Sequence, residues 1–66
     1  MKNTIKVERA KLGISQTELA ENVGVSKQTV HSIETGRFVP STVLAMKMAR
    51  FFKIRVEELF ELEDTD

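Results

Sequence analysis

The sequence predicts an all-α domain of five short helices, and two observations predict it. Glycine and proline occur at only four positions, which divide the 66 residues into segments of helical length. Within these segments apolar residues recur at the spacing of a helix face, and small polar residues suited to N-caps precede them. No repeat or linker interrupts the pattern, so residues 1–66 are expected to form one compact domain.

The first helix is expected to run roughly from Ile5 to Leu12. Thr4 or Asn3 can supply its N-cap, because both side chains carry an oxygen that accepts from a backbone N–H. Gly13 follows the last helical residue and is suited to a left-handed stop.

The second helix is predicted to begin after Ser15, which can cap it. Glu18 stands three residues further on and completes a capping box. Three apolar residues of this segment share one face: Leu19, Ala20 and Val23. Gly24 then ends the helix, and the small Ala20 allows a second helix to cross closely.

The third helix follows after only two further residues. Val25 is expected to point inward as the connector, and Ser26 can cap the new helix. Val30 and Ile33 form a narrow apolar stripe, and the helix should end near Thr35 with Gly36 as its stop. The remaining side chains point outward: Lys27, Gln28, His31 and Ser32. A helix with one thin apolar edge presents its other side to solvent or to a partner.

The fourth and fifth helices complete the domain. Pro40 and Ser41 precede the fourth, whose apolar residues repeat at helical spacing. These are Leu44, Ala45, Met48, Ala49 and Phe52. A short fifth helix is expected at Val56–Phe60, and the alternation at residues 61–63 allows a short strand against residues 1–3.

Composition excludes several classes of protein. The chain has no cysteine, hence no disulfide framework and no thiolate metal site. His31 is the single histidine, so a metal role for it is not expected, and we expect no cofactor. No segment has the length and apolarity of a membrane span, and no signal peptide is evident, so the chain is expected to be cytoplasmic.

The net charge of zero hides a segregation along the chain. Residues 1–55 hold all ten lysines and arginines against four glutamates, a net of +6. Residues 56–66 hold six carboxylates and no cation, a net of −6. Because a polyanion responds to the local field, the zero average does not exclude a nucleic-acid partner.

Several segments together resemble helix-turn-helix regulators of the lambda-repressor and Cro type. They are Ser15-Gln16-Thr17-Glu18-Leu19-Ala20, Gly24-Val25-Ser26, Ile33-Glu34, Gly36-Arg37, Pro40-Ser41, Leu44 and Val56-Glu57-Glu58-Leu59-Phe60. The resemblance covers nearly the whole chain. It implies a compact five-helix, lambda-repressor-like DNA-binding domain with the helix-turn-helix at the second and third helices.

The resemblance also implies roles for individual residues. In this fold the third helix, about Lys27–Thr35, enters the major groove of double-stranded DNA and the second crosses the backbone. The expected base contacts are Lys27, Gln28, His31 and Ser32. The expected phosphate contacts are Gln16, Thr17, Ser26, Thr29 and Arg37. Without that context Lys27, Gln28 and Arg37 would be interpreted as ordinary solvated surface residues.

Two further roles concern stability and catalysis. In relatives an Arg and a Glu at the positions of Arg9 and Glu34 form an ion pair between the first and third helices, and the resemblance implies the same pair here. Ser15, Thr17 and His31 are residue types that hydrolases use, but Ser15 is needed as a cap and no carboxylate is placed to orient the histidine. An enzyme is therefore not expected.

The C-terminal region, about residues 42–66, is richer in apolar residues than a minimal monomer requires. Phe51 and Phe52 are adjacent, so one helix cannot bury both on the same face. We expect a homodimer, which would also support a marginal core. The expected interface residues are Phe51, Phe52, Ile54, Leu59, Phe60 and Leu62. The alternative is that all of them close the core of the monomer.

These inferences lead to one functional expectation and one rival. The first is a nucleoid-associated transcriptional regulator, a repressor, whose two third helices lie about 34 Å apart on a near-palindromic operator. A chain this short leaves no room for a sensor domain, so a small-molecule effector is not expected. The rival is an antitoxin-like or adaptor module that uses its Phe-rich side to bind another protein, with DNA binding secondary.

Overall fold

The computed structural model describes the whole chain, residues 1–66. Its helices are α1 (Ile5–Leu12), α2 (Gln16–Val23), α3 (Lys27–Glu34), α4 (Thr42–Phe52) and α5 (Val56–Leu59), and its strands are β1 (Lys2–Asn3) and β2 (Phe60–Glu61). The strands pair antiparallel, with Lys2 opposite Glu61 and Asn3 opposite Phe60. The predicted five-helix fold is confirmed. The strand begins one residue earlier than expected, because Phe60 has extended backbone angles and leaves α5 directly as β2.

The first helix is capped by Asn3 rather than by Thr4. The Asn3 side-chain oxygen accepts from the backbone N–H of Ile5 at 3.2 Å, and its amide donates to the carbonyl of Ile33 at 3.0 Å. The Thr4 hydroxyl is turned away and donates to the carbonyl of Glu58 at 3.3 Å. Residues 3 and 4 therefore connect the start of α1 to both α3 and α5.

The second and third helices have the local signals that the sequence predicts. The backbone N–H of Glu18 donates to the Ser15 hydroxyl, and the Glu18 carboxylate accepts from the backbone N–H of Ser15, both at 3.1 Å. Gly24 ends α2 with φ of 77°, a left-handed conformation that is strained for residues with a side chain. Ser26 then caps α3 by accepting from the N–H of Thr29 at 3.1 Å. These bonds fix the angle at which α3 leaves α2.

One apolar core holds the helices together, and α4 passes through its centre. Met48 of α4 is fully buried, and Ala20 of α2 is buried at the α2–α3 side of the same core. The core residues are Ile5, Leu19, Ala20, Val23, Val30, Ile33, Leu44, Met48, Ala49, Phe52, Leu59 and Phe60. None of the helices is long and apolar enough to cross a lipid bilayer.

Three of the six residues expected at a dimer interface are largely buried within the protomer. Phe52, Leu59 and Phe60 are 9%, 1% and 7% exposed, because α5 and β2 fold them onto the core of their own protomer. Side chains this deeply buried offer no surface to a second chain. Phe51 lies half-buried with its ring edge-on to Phe52, the centroids 5.2 Å apart, and Leu62 is 77% exposed.

Candidate nucleic-acid interface

The exposed flank of α3 is the centre of the candidate interface. Val30 and Ile33 are 0% and 2% exposed and hold one side of the helix against the core. On the other side Lys27, Gln28 and His31 are exposed and Ser32 is half-buried. The four side chains expected to contact bases therefore lie on the solvent side of α3, and nothing in the chain covers Lys27 or Gln28.

A shallow recess of about 350 Å³ lies beside this flank. Four of the predicted contact residues line it together with Phe38, an aromatic residue for which no functional role was predicted. They are Gln28, Thr29, Ser32 and Arg37. The backbone N–H groups of Arg37 and Phe38 donate to the carbonyl of Ser32 at 2.9 and 3.2 Å, which holds the loop after α3 against the helix. Phe38 is 50% exposed, so an apolar face stands next to the predicted base-contacting side chains.

An ion pair lies beneath the interface and connects α1 to the end of α3. Arg9 donates through Nε to Glu34 Oε2 at 2.7 Å and through Nη2 to Glu34 Oε1 at 3.0 Å. A third donor of the same guanidinium, Nη1, lies 3.1 Å from the carbonyl oxygen of Ile14. The hydrogen bonds that Arg9 donates to Glu34 raise the pKa of Arg9 above its ordinary value. Both side chains are largely shielded, 14% and 7% exposed, so the pair fixes the relative positions of three segments.

Gln16 extends this pair toward the surface. Its amide nitrogen donates to Glu34 Oε1 at 3.3 Å and lies 3.4 Å from His31 Nδ1. The carboxylate can only accept, so the amide nitrogen of Gln16 faces Glu34 and His31. Nε2 of His31 has no hydrogen-bond partner within the protein. The nitrogen of Gln16 is thus partly engaged inside the protein. His31 is exposed next to Gln16, at the start of α2, and its second ring nitrogen remains available to a partner outside the protein.

The other residues assigned to phosphate contact differ in how free their polar groups are. Thr17, in the first turn of α2, and Arg37, in the loop after α3, are exposed, and neither side chain has a hydrogen-bond partner within the protein. The hydroxyls of Ser26 and Thr29 lie 3.0 Å apart, and Ser26 also serves as the α3 cap. Their free capacity for phosphate is therefore smaller than that of Thr17 and Arg37.

The acidic end of the chain lies at the far end of α3 from Lys27. Strand β2 pairs with β1, and Asn3 of β1 donates to the carbonyl of Ile33, in the last turn of α3. An eight-residue helix is about 12 Å long, so the carboxylates that follow Phe60 are separated from the N-terminal turn of α3 by about that distance. This separation allows a cationic N-terminal region in a chain of zero net charge.

Comparison with known proteins gives a consistent result. A family model described as helix-turn-helix matches residues 5–59. An uncharacterized HTH-type transcriptional regulator of Bacillus subtilis is 48% identical over 64 residues, which is 97% of this chain and 97% of the relative. One of Methanocaldococcus jannaschii is 44% identical over 66 residues and covers 100% of both chains. One of Archaeoglobus fulgidus is 44% identical over 66 residues, 100% of this chain and 94% of the relative.

Proposed function

The chain belongs to the helix-turn-helix family of transcriptional regulators, and from that membership we propose that it is a sequence-specific DNA-binding repressor. The observation that carries this proposal is the free flank of α3. Lys27 and Gln28 are exposed on a helix whose opposite side is buried and whose position is fixed by caps at both neighbouring helix ends. Such a helix is held rigidly enough to enter the major groove.

Two side chains are proposed to read bases at the leading end of α3. The amide of Gln28 can pair with adenine N6 and N7 at the same time, and the ammonium group of Lys27 can donate to guanine O6 and N7. Ser32 and His31 lie one turn further along. Phe38 is suited to contact a thymine methyl group or the C–H groups of a deoxyribose beside them, since both present apolar atoms.

The backbone of the DNA is proposed to be held on both sides of α3. Arg37 and Thr17 supply side-chain donors, and the backbone N–H groups at the start of α2 assist, because a helix N-terminus favours an anion. Gln16, Ser26 and Thr29 are proposed to contribute through whatever hydrogen-bonding capacity remains beyond their internal bonds. These contacts fix register without reading sequence.

The repressor is proposed to act as a homodimer on a near-palindromic operator. A two-fold pair of domains places the two α3 helices about one turn of B-DNA apart, roughly 34 Å, so that each reads one half-site. Bound in this way, the protein would compete with RNA polymerase for the promoter. No small-molecule effector is part of the proposal.

Selection of binding sites from random duplex DNA tests the proposal. We expect enrichment of two inverted half-sites whose centres are about 10 base pairs apart. Gln28→Ala should then weaken binding to the selected site by about 1–3 kcal/mol and relax preference at one base pair per half-site. Arg37→Ala should weaken binding to all duplexes alike. It should also reduce the slope of log K against log salt concentration by about one.

Lys11→Ala is the matched control for Arg37→Ala. Lys11 is an exposed cation of α1 whose partner is Glu8 at 3.1 Å, away from the α3 flank. Its removal changes the net charge equally and should leave the salt slope unchanged. If no sequence is enriched, or if Gln28→Ala weakens all duplexes equally, then α3 does not read bases and the proposal fails.

The rival function, a protein-binding adaptor, loses most of the surface on which it was based. Phe52 and Phe60, two of the aromatic side chains assigned to that surface, are core residues. Purification of the protein with its neighbouring gene products discriminates the two functions. A tightly bound neighbour that abolishes DNA binding would favour the adaptor.

A further inference from the structure

An open apolar groove runs between α4 and α5. Val43 and Met46 are 64% and 56% exposed, and Ile54 and Val56 line the other side of the groove. Its volume is about 740 Å³. Of the four buried residues of α4 only Ala49 borders the groove, so most of its apolar wall lies outside the core stripe of that helix. Contiguous apolar surface of this kind marks an interaction site more often than scattered exposed side chains do.

The rim of the groove is basic. Four of the ten cations of the chain border it: Lys47, Arg50, Lys53 and Arg55. Only Arg55 has an ion-pair partner in the protomer, Glu58 at 3.3 Å. A single carboxylate, that of Glu57, borders the groove with them. The groove therefore favours an occupant that is apolar in the middle and acidic at its edges.

The proposed DNA interface does not account for these cations. No residue of α3 borders the groove, and no groove residue borders the recess beside Gln28 and Arg37. The four cations thus lie outside the recess beside α3, and Lys47 and Arg50 also border a recess at the end of α2, together with Glu21 and Gly24.

The C-terminal segment after β2 has the complementary chemistry. It reads Leu62-Glu63-Asp64-Thr65-Asp66 after the Glu61 of β2. Leu62 is 77% exposed, and neither Glu61 nor Asp64 has an ion-pair partner in its own protomer. Glu63 and Asp66 pair with the N-terminal amine of Met1 at 2.9 and 3.0 Å. The segment therefore offers an exposed leucine and two free carboxylates, Glu61 and Asp64, which match an apolar groove with free cations at its rim.

An apolar track connects the groove to this segment. A second recess, of about 220 Å³, shares Met46 and Val56 with the groove and reaches Phe60, where the acidic segment begins. A two-fold axis near Met46 and Val56 would lay the acidic segment of each protomer across the groove of the other. Such an exchange is self-complementary, as a two-fold interface must be.

We propose that the α4–α5 groove binds the acidic C-terminal segment of a second copy of this chain, with Leu62 seated between Val43, Met46 and Ile54. The proposal rests on the proposed homodimer and names its interface. It moves that interface from the phenylalanines to a surface that the sequence did not single out.

A charge-exchange experiment tests this proposal by sedimentation velocity over a range of protein concentrations. Lys47→Glu/Arg50→Glu reverses the groove, and Glu61→Lys/Asp64→Lys reverses the segment. Each variant alone should raise the dimer dissociation constant at least about tenfold, since every exchanged contact loses its attraction. An equimolar mixture of the two should recover dimers, because the intact acidic segment meets the intact basic groove and the lysine-bearing segment meets the reversed groove.

Two controls accompany the mixture. Lys6→Glu/Lys11→Glu reverses two exposed cations of α1 and should leave the dimer unchanged. Met46→Gln should dissociate the dimer, whereas Leu12→Gln, at a residue with nearly the same exposure of 54%, should not. Thermal melting of each variant shows that loss of the dimer is not loss of the fold.

The outcomes separate this inference from the proposed function. A wild-type chain that stays monomeric, or a mixture that fails to recover dimers, overturns the groove proposal even where the monomer still prefers one DNA sequence. Recovery in the mixture supports the groove proposal even if no duplex is preferred, in which case only the repressor function fails. A dimer that persists in Met46→Gln places the interface elsewhere and also overturns the groove proposal.

Discussion

Removal of the Glu34 carboxylate should cost this domain a large part of its stability. The carboxylate accepts three hydrogen bonds, from Arg9 Nε at 2.7 Å, from Arg9 Nη2 at 3.0 Å and from Gln16 Nε2 at 3.3 Å. In Glu34→Ala the guanidinium of Arg9 stays largely shielded and retains only the carbonyl of Ile14 as a partner. Loss of one partner of a buried pair costs about 3–5 kcal/mol, and the residual exposure of Arg9 favours the lower end, about 3 kcal/mol.

That loss is large compared with the total stability expected. A domain of this size has a free energy of unfolding of roughly 3–10 kcal/mol, so Glu34→Ala is expected to lie near its unfolding transition. With a urea dependence of about 1 kcal/mol per molar, the urea midpoint should fall by about 3 M. The change in urea midpoint is measured by urea denaturation followed by circular dichroism at 222 nm, a wavelength that reports helix content.

Two companion variants show whether the effect comes from an unpaired charge. Arg9→Met/Glu34→Leu removes both charges and should recover most of the stability, because apolar residues of similar volume replace a buried pair at little net cost. Glu8→Ala removes a carboxylate whose partner Lys11 is 66% exposed, and it should cost less than about 1 kcal/mol. A Glu34→Ala protein with an unchanged urea midpoint would refute the reasoning.

Two further predictions concern helix ends: the left-handed residue after α4, compared with the one after α1, and the capping of the start of α5. Lys53 ends α4 with φ of 60°, so Lys53→Gly should raise the free energy of unfolding by about 1 kcal/mol in thermal melts, whereas Gly13→Ala, at φ of 66°, should lower it. Hydrogen bonds from the backbone N–H and then from the side chain of Arg55 hold the pKa of Glu58 below its ordinary value of 4.5. The stabilisation by the ionised Glu58 carboxylate is therefore present above pH 4.5 and is lost as the pH falls through the lowered pKa. Glu58→Gln should lower the melting temperature at neutral pH, whereas in strong acid its melting temperature should match that of the wild type.

The local signals of the sequence predicted the helices because each signal acts within a few residues. The capping box at Ser15 and the left-handed Gly24 both determine structure through bonds to neighbours in the chain. The end of α4 gave no such signal, since Lys53 adopts a left-handed conformation that favours glycine. The preference of Asn3 over Thr4 as the α1 cap depends on Ile33 and Glu58, which lie far away in sequence.

Long-range packing also explains why three of the expected interface residues are buried within the protomer. Because Phe51 and Phe52 are adjacent, one of them must point away from the core face of α4. The sequence does not show which other elements cover that side chain. Here α5 and β2 cover Leu59 and Phe60. The apolar residues left exposed on α4 are Val43 and Met46, which lie outside the stripe that the helical spacing identified. Periodicity finds the face that meets the core, whereas a second apolar face is recognised only once the neighbouring helices are in place.

The two proposals together explain how a chain of zero net charge can bind a polyanion. If the acidic segment of each protomer lies in the groove of the other, its free carboxylates, Glu61 and Asp64, are neutralised by Lys47, Arg50 and Lys53, and none of these cations belongs to the α3 flank. The field near the DNA is then set by Lys27, Arg37 and the helix N-termini, because carboxylates paired with cations of the groove contribute little to it. Dimerisation would therefore do more than set the half-site spacing, since it would also remove the acidic segment from the reach of the phosphates.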